Sequence, residues 1–141
     1  MTQPLPPIRR LVTGHNTQGN ATSPDLPPDV NSDDDLGLVE TGLANTGTIC
    51  RIGDFPPNSV GMVHRSITLD YIYVLEGEVT LTLDDESKTR VRKGDVVVQQ
   101  GTMHGWDNET GNWARLLCVL IAARPPVVGG RELGAEVPFQ I

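Results

Sequence analysis

Between residues 60 and 128 apolar and polar side chains alternate in short runs, and the alternation has period two. Val79-Thr80-Leu81-Thr82-Leu83 is the clearest case, the pattern of a strand with one face buried. Thr48–Ile52, Val60–Ser66, Leu69–Leu75, Thr89–Val91, Val96–Gln100, His104–Asp107 and Trp113–Ala122 read the same way. Turn signals separate them: Phe55-Pro56-Pro57-Asn58 breaks one run, Asp84-Asp85-Glu86-Ser87 connects a hairpin, and Lys93-Gly94-Asp95 turns the chain. Gly77 permits a turn or bulge. Roughly nine short strands without an amphipathic helix predict an all-β sandwich or barrel.

The first part of the chain reads differently. Residues 1–8 carry Pro4, Pro6 and Pro7 and predict an arm. Ile8–Thr13 predicts a first strand, closed by a turn at Gly14-His15-Asn16, where His15 is structural rather than catalytic. Residues 20–36 hold three prolines and five aspartates and predict a long loop with little to bury. Asp33-Asp34-Asp35 lacks the spacing of a calcium loop and reads as a solvated acidic turn. The expected organisation is an N-terminal arm, first strand and loop packing on the barrel (1–36), the barrel (37–128) and a tail (129–141). The tail begins after Pro125-Pro126 at Gly129-Gly130 and is expected to wrap the barrel or a partner subunit.

Composition narrows the partners. A 141-residue chain is one domain in size, with a sizeable core. A formal charge of −7 argues against nucleic acid and anionic membranes, both of which call for a basic face. No apolar run approaches a bilayer span, and no charge-then-apolar leader opens the chain. Cys50 and Cys118, both in strand-like runs, do not make a disulfide framework and read as small buried hydrophobes. A reducing, cytoplasmic setting is expected.

The segment Asn58–Gly77 (NSVGMVHRSITLDYIYVLEG) resembles the first motif of the cupin family, in which a glycine, a His-x-His pair, a glutamate and a final glycine recur at fixed spacing. His64 takes the first histidine, Asp70 the acidic position and Gly77 the last glycine. Asn58 stands where the first glycine would be, and asparagine tolerates a positive φ. Gly94–Asn108 (GDVVVQQGTMHGWDN) is similar to the second motif through Gly101, His104 and Asn108, with Gln99 in place of a proline and a run one residue short. With RRLVTGHN near the start, the chain resembles a subgroup of small cupins found in bacteria and in fungal biosynthetic clusters, some associated with aromatic polyketide, salicylaldehyde-type pathways. The resemblance implies a double-stranded β-helix, or jelly-roll barrel. It says less about the reaction, since one fold hosts many chemistries.

Side chains two apart on a strand share a face, so an extended segment sets His64, Ser66, Thr68, Asp70 and Ile72 together. His104 and Trp106 share a face of their own strand, and Gln99 or Gln100 is expected to line the mouth, Gln100 at the rim. In cupins that face is the barrel interior, where polar groups are costly unless paired.

Three readings stay open for His64, Asp70 and His104. As metal ligands, two imidazoles and a carboxylate suit one divalent Fe, Mn, Ni or Zn ion. Most metal cupins use three histidines and a glutamate; here Ser66 replaces the second histidine, which predicts weak affinity or a metal-free site. As a structural set, His64 and Asp70 pair and His104 bonds a backbone carbonyl. As metal-free acid–base catalysts, Asp70 orients His64, and His104 faces it across the cavity.

Around this set, Trp106 is a candidate wall for an aromatic ligand, or core. Arg51 is a candidate for a substrate carboxylate, or a surface ion pair. Tyr71, Tyr73 and Arg65 are expected to point outward. The expected function is a small-molecule enzyme of secondary metabolism. It would dehydrate, isomerise or decarboxylate a polyketide-like or aromatic-precursor carbonyl compound. The alternatives are an Fe(II)- and O₂-dependent oxidoreductase and a non-catalytic ligand-binding protein. The resemblance implies a homodimer, since cupins of this kind usually pair through edge strands and open sheet edges need covering.

Overall fold

A computed structural model describes residues 2–9, 14–15, 18, 21–22 and 47–137. The chain divides into two compact units, Pro6–Asp35 and Met1–Leu5 with Leu36–Ile141. In the smaller unit, β1 (Gly14–His15) pairs antiparallel with β2 (Ala21–Thr22). Gly14-His15, expected to be a turn, is therefore a short strand, because the returning chain supplies its partner. Ile8 and Arg9 are not in a strand; the rest of that expected strand, and the loop beyond Thr22 with Asp33-Asp34-Asp35, lie outside the described residues.

The larger unit is built on β3 (Thr48–Phe55), β4 (Thr68–Glu76), β5 (Glu78–Leu83), β6 (Lys88–Arg92), β7 (Val96–Gln100), β8 (His104–Asp107) and β9 (Ala114–Ala122). One antiparallel sheet has the order β3-β9-β4-β7 and the other β6-β5-β8. Every regular element among the described residues is a strand, as the alternation predicts, and no helix there is long and apolar enough to cross a membrane.

In β4, Thr68, Asp70, Ile72 and Val74 are buried while Tyr71 and Tyr73 stand exposed beside their cross-strand neighbours Val98 and Val96. Ile72, Val74, Ala114 and Leu116 of the first sheet meet Val79, Val91 and Trp106 of the second in one apolar cluster, so the core lies between the sheets.

Two expectations are corrected. Val60–Ser66 is not a continuous strand: the stretch is held by isolated bridges, Ser59 to Asn108, His64 to His104 and Arg65 to Glu136. Between the first two the register shifts by one residue. Gly61 sits at the shift, where a Cβ would lie 2.1 Å from the Trp106 carbonyl oxygen. Arg65, expected outside, is buried beneath the tail. Its backbone exchanges hydrogen bonds with Glu136, and its guanidinium donates to the Glu136 carboxylate at 3.0 Å. Before this, β10 (Val127–Val128) and β11 (Arg131–Glu132) form a hairpin around Gly129-Gly130.

Asn108 clasps the turn that follows β8. It is fully buried; its amide donates to the carbonyls of Phe55 (3.0 Å) and Asn112 (2.7 Å), and its oxygen accepts from Thr110 N (3.0 Å) and Oγ1 (2.8 Å). Asn108→Ala leaves several buried groups unpaired and is expected to cost roughly 3 kcal/mol or more. That is a fall in melting temperature of about 10 °C by calorimetry. A loss within about 1 °C would mean that water replaces the clasp.

Candidate active site

The two histidines meet because their backbones do. His64 N donates to His104 O at 2.9 Å and His104 N to His64 O at 3.0 Å, a mutually bonded antiparallel pair. Side chains of such a pair leave the sheet on the same side. The imidazole centroids are accordingly 4.6 Å apart, with the rings tilted by 53°. Each ring is oriented by a carbonyl two residues back: His64 Nδ1 to Met62 O at 3.0 Å and His104 Nδ1 to Thr102 O at 2.9 Å. A carbonyl only accepts, so Nδ1 carries the proton in both neutral rings. Nε2 of each is left as a bare lone pair.

Both rings line a cavity of about 260 Å³ between the sheets, with Ser66, Asp70, Trp106 and Arg51. Five of the six remaining wall residues are apolar or aliphatic, Phe55 and Met62 among them; Cys118 is the sixth. Sequence reasoning missed Phe55, Met62 and Cys118. Period two was the available signal: Met62 is two before His64, and Cys118 lies between the inward-facing Leu116 and Leu120. Trp106 serves as core and wall at once, its ring edge-on to His104 at 6.2 Å.

Asp70 is 4 % exposed, and its Oδ1 has no hydrogen-bond partner. Burial raises its pKa, which the Thr68 hydroxyl and His64 partly offset. It does not orient His64, whose Nδ1 bond goes to Met62. Ser66 Oγ and Thr68 Oγ1 hydrogen-bond each other at 2.8 Å, so Ser66 spends its hydroxyl within the wall.

His104 moves the opposite way. Burial, with a smaller contribution from His64, pushes its pKa down to about 4, against the Thr102 carbonyl, which favours the protonated ring. Burial also pushes the Cys118 thiol up to about 12 and leaves it inert.

Gln100 is the clear displacement from expectation. Gln100 lies opposite Leu69 and is exposed, while Gln99 lies opposite Asp70 and is buried, its amide bonded to Thr102 Oγ1. Gln100 instead borders a separate depression with Ile67 and Arg124. Cys50, expected to be buried, is exposed; Arg51 opposite Cys118 faces in, so its neighbour faces out.

Among the described residues no group of three or more His, Cys, Asp or Glu is gathered closely enough to hold a metal ion. The structure brings the two imidazoles together and leaves Asp70 apart as a third ligand. The donor set present is thus a two-nitrogen one, and it does not fit the three-ligand centre.

A family model described as the cupin domain matches residues 51–120. The "Cupin-domain-containing oxidoreductase virC" of Hypocrea virens is 31 % identical over 151 residues, covering 84 % of this chain and 78 % of the relative. The "Oryzines biosynthesis cluster protein J" of Aspergillus oryzae is 35 % identical over 120 residues, covering 79 % and 67 %. Among solved structures, the polyketide cyclase RemF of Streptomyces resistomycificus superposes with a TM-score of 0.52 at 22 % identity, over 74 % of this chain and 70 % of that one, a likeness of fold.

Opposite pKa shifts under one burial make a stability test. His104, lowered in the fold, lends stability that is complete above pH 6.5 and is lost as pH falls toward 4, on the order of 3 kcal/mol. Asp70, raised in the fold, lends stability below its ordinary pKa of 3.8 and loses it as pH rises through the folded value. Asp70→Asn is therefore expected to melt higher than wild type at pH 7, with the gap closing toward pH 3.8. Melting at pH 7 below wild type would show the carboxylate to be a needed partner.

Proposed function

The chain belongs to the cupin family, and from that membership and the paired imidazoles we propose that it is a small-molecule enzyme of secondary metabolism moving protons on a carbonyl compound. The observation that carries this is the pair of bare Nε2 lone pairs in a cavity whose lining, apart from Ser66, Asp70 and Arg51, is largely apolar. Two acceptors held side by side gain nothing from each other and are stabilised by a shared proton or a ligand's donor. Relatives named as biosynthesis cluster proteins, the oryzines protein among them, support the setting, and a polyketide-like or aromatic-precursor carbonyl compound is the substrate class proposed.

The two rings divide the labour. His104, neutral at pH 7, takes a proton at Nε2 from the carbon next to the carbonyl. The electrons of that C–H bond form the C=C bond as the β C–O bond breaks. The proton taken from carbon passes by way of the adjacent Nε2 atoms of the two rings, whose centroids are 4.6 Å apart, to the leaving hydroxyl, which departs as water. Trp106 and Phe55 wall the reacting group from solvent. Isomerisation uses the same two transfers, with the second proton returned to carbon. A small-molecule partner, a homodimer and a cytoplasmic setting belong to the same proposal.

A second reading, a metal-dependent oxidoreductase, is favoured by the relatives named as oxidoreductases and by the Nε2 lone pairs, which suit an ion. It lacks a third protein ligand from the expected set.

Dehydration of 4-(1-hydroxy-3-oxobutyl)benzoate, followed by enone absorbance, tests the proposal. His64→Ala and His104→Ala are each expected to lower kcat/KM about 100-fold or more. Wild type dialysed against chelator and assayed without oxygen is expected to keep its rate. The acid limb of kcat/KM is expected near pH 4, moving upward in His64→Ala as the neighbouring charge goes. A rate abolished by chelator and restored by one metal would favour the second reading. Unchanged turnover in both variants would remove the first.

A further inference from the structure

Arg51 is the cavity's standing cation. It lies in β3 opposite Cys118, and Cys118 lies opposite Ile72, so the three form one row on the inner face of the first sheet. Arg51 lines the cavity, and its guanidinium makes no hydrogen bond or ion pair among the described residues.

Three other strand arginines are matched. Arg115 is clamped by Asp54 through Nε at 2.6 Å and NH2 at 2.7 Å, Arg92 meets Glu78 at 2.9 Å, and Arg90 meets Glu78 at 3.8 Å. The chain has 18 acidic residues against 11 basic ones, so an unmatched arginine in a cavity wall is not for want of acids. Asp70, the other ionisable oxygen group in the wall, stands on β4 with β9 between them and does not pair with it.

A guanidinium stays charged at any working pH, and a half-buried one without a partner pays desolvation for nothing. The missing partner is supplied from solution. Resting on the reading of this cavity as a small-molecule site, we propose that Arg51 anchors a carboxylate of the substrate, and that the enzyme therefore acts on carbonyl acids rather than on neutral carbonyl compounds.

The placement sets a size. Arg51 is on one sheet and the histidine pair is on the other, and facing sheets pack about 10 Å apart. A carboxylate bound at Arg51 leaves room for about one ring, or a chain of like length, before the imidazoles. The planar fork of arginine matches a carboxylate in two parallel hydrogen bonds, which a lysine would not reproduce.

The probes are benzoate and its neutral isostere benzamide, titrated into intact protein by calorimetry. Wild type is expected to bind benzoate at least about ten-fold more tightly than benzamide. Arg51→Gln is expected to lose that preference with benzamide affinity unchanged, and Arg51→Lys to recover it in part. Ligand-free melting within a degree or so of wild type for Arg51→Lys separates lost binding from lost folding.

Three results would overturn the anchor: no saturable benzoate binding by wild type, equal binding of the two probes, or benzoate affinity unchanged in Arg51→Gln. Histidine variants with full turnover alongside an intact benzoate preference would sink the acid–base reading and leave the anchor standing. Inactive histidine variants with no benzoate preference would do the reverse.

Discussion

Two backbone hydrogen bonds, from His64 to His104 and back, hold the site together. They belong to an isolated bridge, yet they decide what the cavity contains. A slip of one residue in an antiparallel pair would send one imidazole to the opposite side of the sheet. The register does change by one residue just before this point, between the Ser59–Asn108 and His64–His104 bridges. Gly61 absorbs the change. Its N–H donates to Asp107 Oδ1 at 2.8 Å, and its missing Cβ lets the chain lie against Trp106. The same Asp107 carboxylate accepts from Thr82 Oγ1 on the neighbouring strand at 3.1 Å, tying the shift to the body of the sheet.

Burial then sets the electrostatics from a single cause. Removing water disfavours charge, so it drives His104 down and Asp70 up, each toward its uncharged form. The cavity becomes a weakly charged apolar space with Arg51 as its permanent charge. Such a space strengthens any interaction between the cation and an incoming anion, because less solvent screens it.

Much of the fold was legible in the chain. The alternation in β4 and the turn at Gly94 carried through, while in β5 Val79 and Thr80 are both buried. Asn58 has φ 53° and Gly77 has φ 75°, the conformations their motif positions called for. What failed depends on register and on remote contacts. Whether Gln99 or Gln100 faces inward is a matter of parity, fixed by pairing with Leu69 and Asp70 rather than by the glutamines' own run. Arg65 is buried by Glu136, a residue from the far end of the chain. Asp70 shares a face with His64, yet extended chain between them spans about 20 Å. Only the bend of the barrel decides whether a shared face becomes a shared site, and sequence spacing does not encode that bend.

The departure from the usual cupin ligand set is coherent rather than a loss. Serine at position 66 cannot replace an imidazole as a ligand for a transition metal, but it can donate to the next hydroxyl. Ser66 and Thr68 do bond each other on the inner face that continues to Asp70, so the polarity of this wall goes into hydrogen bonding. The histidines are treated differently. Each spends Nδ1 on a backbone carbonyl and keeps Nε2 free, an arrangement that costs free energy in an apolar cavity unless something binds there. The chain therefore satisfies Ser66 and Thr68 between themselves and leaves the imidazole Nε2 atoms unsatisfied, opposite an equally unmatched arginine. Those two unmet demands, a donor for the imidazoles and an anion for Arg51, would both be met by one molecule of the kind proposed: an acid bearing a transferable proton about one ring's width from its carboxylate.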